Sequence, residues 1–133
     1  KRPTVEGGSL PGVLRCTSSN NADMQCQVSG VLANLSENME NQISLTEDGA
    51  VPAMVALGAI LNDEVQQDIA RGLANLAANE ENHVPMYQQG ALKRLIALTD
   101  SIEDVTQRYA AMGLRFLSSN PENRVHIVQE GLL

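Results

Sequence analysis

The side chains able to do chemistry in this chain are few, and their spacing is poor for catalysis. Cys16 and Cys26 are the only cysteines and stand ten residues apart, without a Cys-x-x-Cys pair or a histidine at ligand spacing. His83 and His126 have no cysteine, aspartate or second histidine placed to build a metal site or a nucleophile–base pair, and both are expected on the surface. Gly7-Gly8 precedes a helical pattern but lacks the Lys-Ser/Thr that a phosphate-binding loop needs. No enzymatic activity, metal or cofactor is expected from these patterns. What remains is recognition chemistry. Asn34 and Asn75 each offer an NH₂ donor and a carbonyl acceptor. Arg71, Arg108 and Arg115 carry guanidinium groups suited to carboxylates and phosphates. Asn34-Leu35-Ser36 also matches a glycosylation sequon, which inside a helix is read as coincidence.

These residues lie on segments that must be helices. Over 65–79, Ile69, Ala70, Leu73, Leu76 and Ala77 recur at offsets of three and four and form one apolar stripe, while Arg71, Asn75 and Ala78 follow another line. The same pattern appears 41 residues earlier, at 24–38, and 41 later, at 106–120. Gly8, Gly49, Gly90 and Gly131 keep that step, as do Asn38, Asn79 and Asn120, and Asn41, Asn82 and Asn123. Leu32, Leu73 and Leu114 mark one core line, and Leu35, Leu76 and Leu117 another.

Each unit divides into three helices. The first starts at the repeated Asn38, Asn79 or Asn120, a favoured N-cap, and ends at the glycine 11 residues on. Pro85 is expected to kink the first helix of its unit or delay its start to about Met86. The second helix has Pro11 or Pro52 in its first turn and is expected to bury Leu14, Val55 or Ile96. Cys16, in register with Leu57 and Leu98, is read as a small buried hydrophobe. The third and longest helix is the segment described above. Such units cannot bury their apolar faces alone, so they must stack into a right-handed superhelix.

The organisation expected is all-α: a linker or frayed end at 1–7, then an array at 8–133 of about three units (8–48, 49–89, 90–130) with the start of another at 131–133. The repeat phase at both ends fits an excerpt of a longer array, with stacking surfaces that leave end-to-end self-association open. Composition agrees: 43% hydrophobic residues, 19% charged, and only Tyr87, Tyr109 and Phe116 as aromatics, so aliphatic side chains fill the interior. A net charge of −7 argues against nucleic acid as a partner, and no apolar run reaches a membrane-spanning length. The sparse cysteines place the chain by default in the cytoplasm, with the nucleus also open to it.

Val65-Gln66-Gln67, Leu73-Ala74-Asn75-Leu76-Ala77, Asn79-Glu80-Glu81-Asn82 and Gln89-Gly90-Ala91-Leu92 together resemble the armadillo repeat, as does 120–125 with Glu130-Gly131. The resemblance spans about 8–133 and is specific to the fold rather than to one protein. The related HEAT repeat usually lacks the short first helix and the Gly-Ala-Val-Pro turn present at 49–52. The resemblance implies that the third helices line a concave groove holding extended peptides, with an asparagine on each helix bonding the peptide backbone. Asn34 and Asn75 match that asparagine, and Phe116 replaces it in the third unit. One turn earlier, importin-alpha-like adaptors carry a tryptophan. Gly30, Arg71 and Met112 stand there and the chain has no tryptophan, so recognition of nuclear import signals is not expected.

Steps of three and four trace the expected groove line through Cys26, Gly30, Asn34 and Glu37, then Gln67, Arg71, Asn75 and Ala78, then Arg108, Met112, Arg115, Phe116 and Ser119. Three arginines against one acid predict a basic patch for an acidic or phosphorylated segment, with Met112 and Phe116 as an apolar anchor beside it. The candidate site is therefore Asn34, Gln67, Arg71, Asn75, Arg108, Met112, Arg115 and Phe116, in a non-enzymatic protein-binding scaffold. The alternatives are a substrate-recruiting arm of a larger enzyme, such as the ubiquitin ligases that carry similar repeats, and a purely structural spacer.

Overall fold

A computed structural model describes residues 9–133; the expected linker at 1–7 and Gly8 lie outside them. The described residues form helices α1 (Ser9–Arg15), α2 (Ala22–Ser36), α3 (Met39–Glu47), α4 (Ala50–Leu57), α5 (Asp63–Ala77), α6 (His83–Gln88), α7 (Ala91–Leu98), α8 (Asp104–Ser118) and α9 (Pro121–Glu130). Two 3₁₀ turns, Cys16–Ser18 and Glu80–Asn82, lie between them. The repeated asparagines are the caps their type predicts: Asn38, Asn79 and Asn120 accept from the backbone N–H of Glu40, Glu81 and Asn123. Asn21 and Asn62 do the same for α2 and α5. Gly49 and Gly90 adopt φ of 98° and 91°, a left-handed turn that a Cβ would strain, and so fold the short first helix sharply into the second.

The α-helix that contains Pro85 starts three positions later than the register of Met39 would place it, though not as late as Met86. The helix starts at His83 after the 3₁₀ turn, and Pro85 falls in its first turn, where the missing N–H leaves no bond unmade.

The third helices α2, α5 and α8 lie side by side, with α5 between the other two. Leu32, Leu73, Leu76 and Leu117 are fully buried beneath them. The glycines make room for the second helices first: a Cβ on Gly72 would run into Met54 Cε and one on Gly113 would come 2.9 Å from Leu95 Cδ1, with the Cα of Ala33 and of Ala74 on the neighbouring third helix next, at 3.4 and 3.6 Å. On the second helices the buried line is Val51, Met54 and Leu57, then Leu92, Leu95 and Leu98. Leu14, Val55 and Ile96, expected in that role, are half-buried at the edge of the core, and so is Cys16.

Asn82 and Asn123 stitch the layers. Asn82 Nδ2 donates to the carbonyls of Leu76 (3.0 Å) and Gln42 (3.2 Å), and Asn123 Nδ2 to those of Leu117 (3.0 Å) and His83 (2.9 Å). Each carboxamide closes the end of a third helix and reaches the preceding first helix at once. His83 is buried rather than on the surface, because its Nε2 donates 2.7 Å to the Ala77 carbonyl, as Gln42 Nε2 donates 3.0 Å to that of Ser36. His126 is exposed.

Candidate functional site

The exposed turns of α2, α5 and α8 form one continuous wall, and the candidate residues can be placed on it individually. Asn34 is exposed on α2, and its Oδ1 accepts from Arg71 Nη2 at 3.2 Å. Asn75 is half-buried on α5, and its Nδ2 donates 3.1 Å to Ser36 Oγ on the neighbouring helix. Gln67 is exposed one turn before Arg71. Met112 on α8 is exposed, and Phe116 is half-buried and packs on the core.

The expected basic patch does not form. Arg71 is drawn down onto the wall with its side chain only 19% exposed, its Nη1 on Glu37 at 2.5 Å and its Nη2 on Asp68 at 3.3 Å. Asp68 is three residues before Arg71 on the same helix and was absent from the line traced by steps of three and four. Arg108 pairs with Asp104 at 3.2 Å, a fully solvated pair of little energetic weight. Arg115 is in register with Ala33 and Ala74, the residues beneath Gly72 and Gly113, so it lies on the flank of α8 turned away from α5 and leaves the groove line.

The wall near α2 is instead acidic. The thiol of Cys26 is raised above its ordinary 9.0, first by a hydrogen bond to Glu64, then by burial and by the charges of Glu64, Asp23 and Asp68. Asp23 and Glu64 stand in register at the starts of α2 and α5, and Glu64 precedes Asp68 and Arg71 at steps of four and three, so these carboxylates share one face with Asp68. Toward α8 the character changes. Val105, Arg108, Tyr109 and Met112 line an open hollow of about 300 Å³. Val105 and Tyr109 were missed by sequence reasoning. Their signal was there, since Val105, Tyr109, Met112 and Phe116 follow one another at steps of four, three and four.

A second hollow, of about 440 Å³, opens away from the wall between α6, α7 and α9. There Tyr87 Oη donates 2.6 Å to Glu130 and stacks on His126 at 5.7 Å between ring centres. Desolvation, then the hydrogen bond and charge of Glu130, push the phenol up to about 12. Among the described residues no three His, Cys, Asp or Glu side chains come together as a metal site would need, and no helix is long and apolar enough to cross a membrane.

No family model and no curated protein sequence matches the chain. Solved structures do. An engineered protein is 28% identical, with 96% of this chain covering 32% of that one at a TM-score of 0.85. A designed armadillo repeat protein solved in complex with the peptide (KR)4 is 24% identical, with 96% of this chain covering 54% of that one at 0.84. A second designed armadillo repeat protein is 23% identical, with 92% covering 52% at 0.81. The chain folds as an armadillo repeat solenoid. It is an all-α, right-handed superhelix. It spans about half the length of the designed armadillo proteins and a third of the engineered one. In armadillo terms the wall is the row of third helices, with Asn34 and Asn75 on matching turns of consecutive repeats.

Proposed function

We propose that the armadillo array at 8–133 is a non-enzymatic interaction module that holds an extended partner segment along the wall of α2, α5 and α8. The observation that carries this is the pair Asn34 and Asn75. Arg71 occupies Asn34 Oδ1 and leaves its NH₂ to donate outward, while Ser36 engages Asn75 Nδ2 and leaves its carbonyl to accept. Together they offer one donor and one acceptor to a peptide backbone, whose N–H and C=O are otherwise unpaired in an extended strand. The peptide (KR)4 in the complex of the designed armadillo protein supports the same use of the fold here.

In this reading Asn34 and Asn75 bond the ligand backbone, Gln67 and Arg108 border its path, Met112 and Phe116 offer apolar contact, and Arg71 positions Asn34. An acidic ligand finds little support. It would have to displace Glu37 and Asp68 from Arg71 and Asp104 from Arg108. The test is fluorescence anisotropy with labelled (KR)4 peptide against the wild-type chain and Asn34→Ala/Asn75→Ala. Loss of two backbone bonds should weaken binding by roughly tenfold or more. Equal affinity for both proteins would reject the asparagine pair as the site.

A further inference from the structure

The wall has an asymmetry that the proposed peptide-binding role does not by itself require. Over α2 and α5 it carries Asp23, Glu37, Glu64 and Asp68 against a single arginine that two of those acids already hold. Over α8 the positions that match Glu64, Asp68, Arg71 and Asn75 are Val105, Tyr109, Met112 and Phe116. Val105 and Met112 are 38% and 40% exposed around the 300 Å³ hollow, and Tyr109 and Phe116 are packed on the core beneath them. A charged stripe thus turns apolar within one repeat.

Resting on the binding role proposed above, we infer that the hollow at Val105, Tyr109 and Met112 is an anchor subsite for one large apolar side chain, borne by an extended segment whose neighbouring residues are lysine or arginine. The apolar walls gain by excluding water around an aliphatic or aromatic side chain. Beside them, a cationic side chain meets carboxylates that, among the described residues, pair with no cation but Arg71. Spacing sets the register. Packed helices lie 8–10 Å apart and an extended chain advances about 3.3 Å per residue, with alternate side chains on one face. The α5 acids, one helix away, and the α2 acids, two helices away, therefore call for cationic residues about two and about six positions from the anchor. Arg108 at the rim of the hollow keeps the far side free of a further cation.

The experiment uses eight-residue synthetic peptides of alternating lysine and alanine, with leucine at one end or the other, matched by peptides with alanine for that leucine and by peptides with glutamate for lysine. Calorimetric titration should show one of the leucine peptides binding about tenfold tighter than its alanine counterpart, in keeping with partial burial of one aliphatic side chain. Met112→Ser, at an exposed position where the fold should tolerate it, should abolish that preference, so that the leucine and alanine peptides bind it alike. Glu64→Gln with Asp23→Asn should weaken both lysine peptides severalfold and reduce their sensitivity to salt. Equal binding of leucine and alanine peptides, or tighter binding of the glutamate series, overturns the anchor and its cationic flank. The binding role survives either result so long as Asn34→Ala/Asn75→Ala weakens whatever peptide is bound. Absence of binding by every peptide, (KR)4 included, overturns both. A wild-type dimer dispersed by Met112→Ser would assign the hollow to a second copy of the chain and overturn the anchor as well.

Discussion

Arg71 and Thr106 show what single side chains add to a repeat. Periodicity puts Arg71 on the line of the wall, but charge on a helix surface is decided by neighbours at three and four residues and across the helix pair, so Asp68 and Glu37 turn a presumed ligand cation into an internal strut. A line traced along one helix does not see either partner. Thr106 is a second case. Its hydroxyl is fully buried with no hydrogen-bond partner among the described residues, and the matching residue one repeat earlier is Val65, equally buried. Thr106→Val keeps the shape and removes the unpaired group, so it should raise stability by about 1 kcal/mol, read as a higher denaturation midpoint at unchanged slope. Cys26 offers a reporter for the acidic wall. Because its thiol is raised above 9.0, alkylation by iodoacetamide should reach half its maximal rate at a pH higher than for a free cysteine. Glu64→Gln should bring that midpoint down. A midpoint unmoved by Glu64→Gln would separate the carboxylate from the thiol and weaken the acidic assignment.

At the scale of the element, caps and glycine turns were legible because each acts within a few residues of itself: Asn38, Asn79 and Asn120 start the first helices as their type dictates. The reach of Asn82 and Asn123 was not. Their constant spacing was visible, but each bonds a carbonyl six residues back and another about 40 back, an arrangement that no helical period encodes. Asn82→Ala removes two buried hydrogen bonds, one to the Leu76 carbonyl at the end of α5 and one to the Gln42 carbonyl within α3, and should cost about 2 kcal/mol. Asn41, in register with it, makes a single bond at 3.3 Å to Leu35 and is only partly buried, so Asn41→Ala should cost under about 1 kcal/mol. Similar losses in urea melts would refute the stitching role. Tyr87 and Glu130 join α6 to α9 in a different way. The folded phenol titrates near 12 against an ordinary 10.0, so the neutral form is favoured by folding. Its contribution is complete below about pH 10 and is lost as pH climbs toward 12. Alkaline melting curves should show that decline, and Glu130→Gln should shift the tyrosine absorbance transition to lower pH.

At the scale of the whole fold, the outer faces of α2 and α8 decide whether two copies of these repeats stack on one another. The interior junctions give the rule for close stacking, since Gly72 sits over Ala33 and Gly113 over Ala74. The residue in register with those glycines on α2 is Val31, and the residue in register with those alanines on α8 is Arg115. A second copy docking its α2 against α8 in the same geometry would therefore set a β-branched side chain against a guanidinium. Room is lost where the interior third helices meet glycine to alanine. Arg115 would also be desolvated without a carboxylate partner, since none pairs with it among the described residues, and an unpaired buried charge costs several kcal/mol. Repetition of the register alone made end-to-end association look natural; the two residues at this junction oppose it. Sedimentation velocity of the wild-type chain should give a single monomeric species whose coefficient does not rise with concentration. Val31→Gly with Arg115→Ala restores the small-on-small pair and should produce species that grow with concentration, because a head-to-tail contact of this kind does not close on itself. Growth of the wild type, or a double variant that stays monomeric, would show that the Gly-on-Ala contact does not govern how these repeats stack.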